Sequence, residues 1–279
     1  MVIKLNKKNM LKNYFNNIIL NKITYFAIFI LILYVFGQFF DFTKTFVGYK
    51  DVSIYDYMLF LFNQYIFLVF FLDLFFLIII RNLINKSSYN KYMFLKFSNR
   101  KQLFFINIAT TAITSLLYVL VVVVIIFLQG VLNLCIKNDW SNSSIIISKI
   151  MTTDITACIK AVSPLSACLI NYLLTSLYIF FIGIVFYVSS LYFRKTIMPF
   201  IITIGFIVIG VTAYTGSIHS AITFSLCENA MIYSEVWAST SFLYQIVFKL
   251  IFWLITISSV IALGLYRVKR VDFKFEGEK

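Results

Sequence analysis

The sequence predicts an all-α integral membrane protein with six transmembrane helices, an N-terminal interfacial amphipathic helix and short re-entrant or interfacial helices between spans five and six. Hydrophobic residues make up 61% of the 279, and mean hydropathy is +0.93. The charged residues gather into short clusters between uncharged runs, six of which reach the roughly 20 apolar residues that a bilayer crossing requires. These runs cover 23–40, 59–80, 103–134, 165–193, 197–215 and 244–266. The charge also sorts by side. With both termini cytoplasmic, 18 of the 24 basic residues fall on inner segments, against Asp272, Glu276 and Glu278. The outer segments keep Lys44, Lys50, Lys137, Lys149, Lys160 and Lys249 beside Asp41, Asp51, Asp56, Asp139, Asp154, Glu228 and Glu235, which nearly cancel. Lys and Arg near span ends resist translocation and so set orientation. The expected location is the bacterial cytoplasmic membrane, crossed several times.

The same sorting accounts for the high pI: a basic inner face is a topology signal and a contact for anionic lipids. No compact basic domain is left to grip a duplex, so nucleic acid is excluded as a partner. Residues 1–279 read as a single transmembrane domain, because the longest polar stretch, 136–164, is shorter than the roughly 40 residues a domain needs to fold unaided. The basic N-terminal region runs into an apolar stretch too long for a signal-peptide core, so the first span is expected to be retained. Ile, Asn, Lys, Phe and Tyr, all served by A/T-rich codons, are abundant, as in genes of A/T-rich bacteria.

Residues 5–22 place Met10, Leu11, Tyr14, Phe15, Ile18 and Ile19 on one helical face and Lys8, Asn9, Lys12, Asn13, Asn16 and Asn17 on the other. That pattern predicts a helix lying in the inner interface, touching membrane lipids. After span two, the segment Arg81 to Lys101 interleaves basic residues with Tyr89, Tyr92, Met93, Phe94, Leu95 and Phe97. Apolar side chains on a cytoplasmic loop lie on lipid or dock into a partner's groove. Spans four and five are joined by a tight hairpin at Arg194-Lys195, with Pro199 in the first turn that follows.

Between Gly216 and Leu243 the chain is external yet only mildly polar, which predicts one or two short helices dipping back into the outer leaflet. Lys249, in the outer turns of span six, is expected to snorkel outward, with Glu228 or Glu235 as alternative ion-pair partners. Cys135, Cys158, Cys168 and Cys227 all fall on or near the outer face; free thiols packed as small apolar groups are expected, and the three disulfide pairings that four cysteines allow are the alternative. Cys158 and Cys227 are the expected targets for an impermeant thiol reagent. A single histidine, His219, and the lack of any C-x-x-C pair speak against a metal site.

Asp73 is the only acid deep in a span. A carboxylate there faces the bundle interior and takes a partner or a proton, with Asn107, Asn171 or a neighbouring serine expected in that role. The other reading is a polar substrate path, shared with Asn63 and Gln64 farther out on the same span.

The order of parts resembles the permease subunit of ABC-2-type (type V exporter) ABC transporters. The matching features are the helix at 5–22, the stretch Phe94 to Leu103 entering span three, and Leu191-Tyr192-Phe193-Arg194-Lys195 between spans four and five. The weakly polar segment between spans five and six and the ending Ala262 to Asp272 match as well, so the resemblance covers nearly the whole chain. It implies a non-catalytic subunit that pairs with a second permease subunit, identical or related, and is driven by a separate cytoplasmic ABC ATPase. Its coupling residues would be Tyr89, Tyr92, Met93, Phe94 and Arg100. No G-x-x-x-x-G-K-[ST] run is present, so Mg-ATP is expected on the partner and no cofactor in this chain. The extended outer segment 136–164 departs from many relatives.

The alternatives are a standalone bacteriocin-immunity or sensor protein, a secondary transporter and an intramembrane enzyme. A secondary transporter should show two related halves and broken helices; no repeat is visible, and Pro164 and Pro199 lie at helix starts. An intramembrane protease lacks its second membrane carboxylate or its H-E-x-x-H.

Overall fold

The computed structural model describes residues 22–46, 51–81, 100–150, 156–193, 195, 197–216, 222–233 and 241–269. The helices are α1 (Lys22–Thr45), α2 (Ile54–Phe62), α3 (Phe67–Ile80), α4 (Arg100–Val131), α5 (Asn142–Ile150), α6 (Thr156–Ala161), α7 (Pro164–Tyr192), α8 (Ile197–Thr215), α9 (Leu226–Ala230) and α10 (Phe242–Val268). There is no strand among the described residues. Five helices, α1, α4, α7, α8 and α10, are long and apolar enough to cross a membrane, and α2 with α3 makes a sixth candidate only as a bent pair. This is an all-α, multi-pass membrane protein.

Helix α7 is the hub. Its residues Tyr178, Ile179, Ile182, Ile184 and Phe186 are fully enclosed, and α4, α8, α10 and α2 pack around it. Residue pairs give the directions: Asn107 meets Tyr187 and Leu116 meets Tyr172, so α4 runs antiparallel to α7. Tyr178 meets Trp253 and Leu191 meets Arg267, so α10 runs parallel to it. Alternation leaves one basic end, holding Lys22, Arg81, Lys101 and Arg267, and one capped end, where α2, α5, α6 and α9 gather.

Small residues let the hub's neighbours come close, as in other membrane bundles where backbones pack through glycine. A Cβ on Gly183 would lie 2.5 Å from Thr111 Cγ2 and 2.9 Å from Phe76 Cε1, at the crossing of α7 with α4 and α3. One on Gly264 would lie 2.7 Å from Phe104 and 2.9 Å from Val188, joining α10, α4 and α7. The outward faces carry Phe29, Leu33, Phe36 and Phe40 on α1, Ile201 and Ile209 on α8, and Leu250, Leu254 and Ile255 on α10. Such faces suit hydrocarbon rather than water.

The second span differs from the straight helix expected at 59–80. Helix α2 begins at residue 54 and stops at Phe62, and α3 departs from it at 84°. The broken helix that the sequence did not reveal is therefore present, and it lies in a stretch without Gly or Pro. The described parts of the polar stretch 136–164 are also organised. Trp140 Nε1 donates to Val162 O at 2.7 Å and Leu165 N to Asn138 Oδ1 at 2.9 Å, tying its two ends together. Its helix α5 packs on α2.

Candidate functional site at the elbow of the second span

Helix α2, which leads into the bend, is capped at both ends. At its start, Ser53 Oγ accepts from Asp56 N at 3.2 Å while Asp56 Oδ2 accepts from Ser53 N at 2.9 Å, a reciprocal capping box that begins α2 beside the membrane crossing. Ile54 N also donates to Cys135 O at 3.0 Å, fastening this start to the end of α4. At the other end, Asn63 Nδ2 donates to Leu59 O at 2.6 Å, and Asn63 Oδ1 accepts from Ile232 N and Tyr233 N, both at 3.0 Å. A buried side chain at the elbow thus supplies the acceptor that two backbone N–H groups near α9 need. Gln64 is only partly buried and joins the turn through its backbone, receiving Leu68 N at 3.1 Å.

Beyond the elbow, residues Phe67–Asp73 wind as a π-helix, a form that recurs at functional sites. Asp73, 0% exposed, ends it and receives the Tyr178 hydroxyl on Oδ2. Tyr118 OH donates to Leu72 O at 3.1 Å, holding the same turn from α4. The expected partners of Asp73 are replaced by Tyr178. Asn107 gives its Nδ2 to Tyr187 OH at 2.8 Å, and the Asn171 side chain has no hydrogen-bond partner among the described residues. Spacing could not show this, because the partner lies 105 residues away in sequence.

The segment Ser225–Tyr233, built on α9, plugs the space between the elbow and α10. Ser225 caps α9 by accepting from Glu228 N at 3.0 Å. Lys249, 0% exposed, donates to Glu228 O at 2.9 Å and Met231 O at 2.7 Å, with Glu228 Oε1 at 3.8 Å. One turn on, Trp253 Nε1 donates to Asn229 O at 3.0 Å. The expected snorkelling of Lys249 does not occur. The plug folds back over this stretch of α10, closes the route to water and replaces hydration with two carbonyls and a carboxylate. Glu235 and His219 lie outside the described residues, as do 5–21 and the coupling residues Tyr89, Tyr92, Met93 and Phe94. Arg100 opens α4.

All four cysteines are free thiols here. Cys135 is exposed, whereas Cys158, Cys168 and Cys227 are buried, so Cys158 and Cys227 are not the accessible probes the sequence suggests. Burial pushes the Cys158 thiol up to about 12 and raises the Cys227 thiol as well. With a thiol near that value, only about 1 in 10,000 molecules carries the reactive thiolate at pH 8. In the folded protein Cys135 should therefore be alkylated by a maleimide while Cys158 and Cys227 react only after denaturation, as read by mass spectrometry of the labelled peptides. Equal labelling of all three before denaturation would contradict the packing of the capped end.

Among the described residues no cluster of His, Cys, Asp and Glu is arranged to hold a metal ion. The elbow, Asp73 and the plug are what the fold assembles in its interior. The chain matches no family model, no curated protein and no solved structure.

Proposed function

We propose that this chain is the membrane-spanning permease subunit of an ATP-driven ABC exporter in a bacterial cytoplasmic membrane, with both termini cytoplasmic. It would pair with a second permease subunit and with a cytoplasmic ABC ATPase that binds Mg-ATP. The observation that carries the reading is the plug. A short helix returns between the last two spans, where the sequence predicts a segment dipping back and the resemblance expects a weakly polar one, and the segment built on it is bonded by the buried side chains of Lys249 and Asn63. The basic end agrees with it, since the charge bias of the loops favours a cytoplasmic position for that end.

The mechanics follow from α4. At 32 residues it is a rod of about 48 Å, by the rise of 1.5 Å per residue. Its first turn follows the loop proposed to meet the ATPase, and it touches α10 and α7 at Phe104 and α7 again at Thr111. A displacement of that loop on nucleotide binding would be carried into the hub rather than absorbed by a hinge. The aromatic, weakly charged spans suit an amphipathic or hydrophobic cargo, either a toxin-like or antimicrobial peptide or a lipid-like molecule.

Purification from the native host should retain a nucleotide-binding ATPase, and changing Tyr92, Met93 and Phe94 together to Ala should release it. Persistence of the complex in that variant removes the docking role. Cys135 should react with an impermeant reagent in intact cells, and reaction only after lysis would invert the topology. The broken second span favours one rival, a secondary transporter, over the standalone immunity or sensor reading. Transport in vesicles depleted of ATP but holding an ion gradient would select that rival.

A further inference from the structure

At the basic end of the bundle, α7 and α10 are latched by two side chains that cross. Arg267 Nε donates to Leu191 O at 3.3 Å in the last turn of α7, and Tyr192 OH donates back to Leu263 O at 3.1 Å, one turn before Arg267 on α10. The Arg267 guanidinium carbon lies 5.1 Å from the centre of the Tyr192 ring. A cation set against the carbonyl end of a helix and over an aromatic face is held by the helix dipole and by the ring quadrupole together. The guanidinium is thereby fixed in place.

Holding it in this way uses only the Nε donor. The two Nη groups have no acceptor among the described residues. No carboxylate balances the charge either. The described acids lie toward the capped end or, as Asp73, in the interior, whereas Lys22, Arg81, Lys101, Lys195, Arg267 and Lys269 share the basic end. A planar fork with idle N–H groups matches the paired oxygens of a phosphate.

The surface that leads to the fork is apolar. Ile255, Ser259 and Leu263 precede Arg267 at four-residue steps, forming one row along α10, and all three are exposed. Ser259 Oγ donates to Ile255 O at 2.8 Å, so the row needs no polar partner from outside. An apolar row that ends on an unbalanced cation matches a lipid, with a chain along the helix and a phosphate at its end. A soluble anion would use the fork and leave the row idle.

We propose that Arg267, fixed on Tyr192, binds the phosphate of an anionic phospholipid in the leaflet at the basic end, with an acyl chain along Leu263, Ser259 and Ile255. The lipid reinforces the junction at which Phe104 of α4 and Val188 of α7 close on Gly264 of α10. The site rests on the membrane-spanning fold and does not depend on the ATPase assignment.

The test is native mass spectrometry of the full chain, delipidated in detergent and titrated with phosphatidylglycerol or with phosphatidylcholine, whose headgroup has no net charge. The first phosphatidylglycerol should bind about tenfold more tightly than the first phosphatidylcholine, a difference of about 1.4 kcal/mol. Arg267→Gln should abolish that preference. Arg267→Lys keeps the charge without the fork and should keep only part of it, which also serves if Arg267→Gln does not accumulate. Lys22→Gln removes a charge from the same end, on α1, which packs on α3 and α4, and should leave the preference unchanged. An unfolding midpoint of the lipid-free Arg267 variants close to that of the natural protein separates lost binding from lost fold. No preference in the natural protein, equal losses in Lys22→Gln and Arg267→Gln, or displacement of the lipid by excess inorganic phosphate overturns the site, the last by assigning the fork to a free anion.

Discussion

Lys249→Met should lower the stability of the protein by about 3–5 kcal/mol, the usual cost of breaking a buried charge pair by removing one partner. The arithmetic is local. The variant keeps the four-carbon stem's volume but removes the ammonium that satisfies Glu228 O and Met231 O and faces Glu228 Oε1. What remains is a carboxylate 2% exposed that has lost its neighbouring ammonium. Adding Glu228→Gln removes the buried negative charge that the ammonium faced, so the double variant should be more stable than Lys249→Met alone, with a coupling of about 0.5–3 kcal/mol. Thermal unfolding in detergent, or the rate of chymotryptic cleavage within 222–241, reads both effects. An unchanged midpoint in Lys249→Met would mean that the ammonium reaches water and that the plug is not clamped to α10.

The particular residues behind that prediction show where sequence reading stops. Long spans were legible, because hydropathy alone delimits a helix that faces lipid on one side: 165–193 against Pro164–Tyr192, 197–215 against Ile197–Thr215 and 244–266 against Phe242–Val268. The first span is longer than 23–40. Asp41 and Lys44 end the apolar run, but helical hydrogen bonding continues to Thr45 beyond it. The second span failed for a different reason. Nothing between residues 54 and 80 breaks a helix by propensity, and the residue at the bend, Asn63, takes its partners from a backbone segment 169 residues away. One local signal was available: Ser53-x-x-Asp56 is a capping-box pattern, which marks a helix start at 54 rather than 59.

The interior site was half legible. Asp73 stands out as a lone acid in an apolar run, but its tyrosine partner does not, since Tyr in a membrane protein is expected at the water boundary. Lys249 misled for a related reason. Its position in the outer turns of span six implies access to water only if nothing folds back over it, and the plug does. The burial of Cys158, Cys168 and Cys227 follows the same logic, because the cap built from α2, α5, α6 and α9 encloses side chains that a linear map assigns to the exterior.

Asn63→Leu should detach the elbow from the plug. Leucine matches the buried volume but offers no acceptor, so Ile232 N and Tyr233 N are left unpaired at about 1–3 kcal/mol each. Asn63→Asp separates that loss from simple repacking. It forfeits the Nδ2 bond to Leu59 O, as leucine does, but a carboxylate oxygen can still receive both N–H groups. The leucine variant should therefore unfold at the lower temperature, and hydrogen exchange should speed up at residues 232 and 233 in it alone. The two sets of contacts act on opposite flanks of one segment, Lys249 and Trp253 from α10 and Asn63 from the elbow. If that segment moves as a unit, releasing either flank should raise exchange across all of 225–233 and expose Cys227 to maleimide. If Asn63→Leu leaves both exchange and Cys227 labelling as they are, the plug is held by α10 alone, and the bend in the second span has no mechanical link to it.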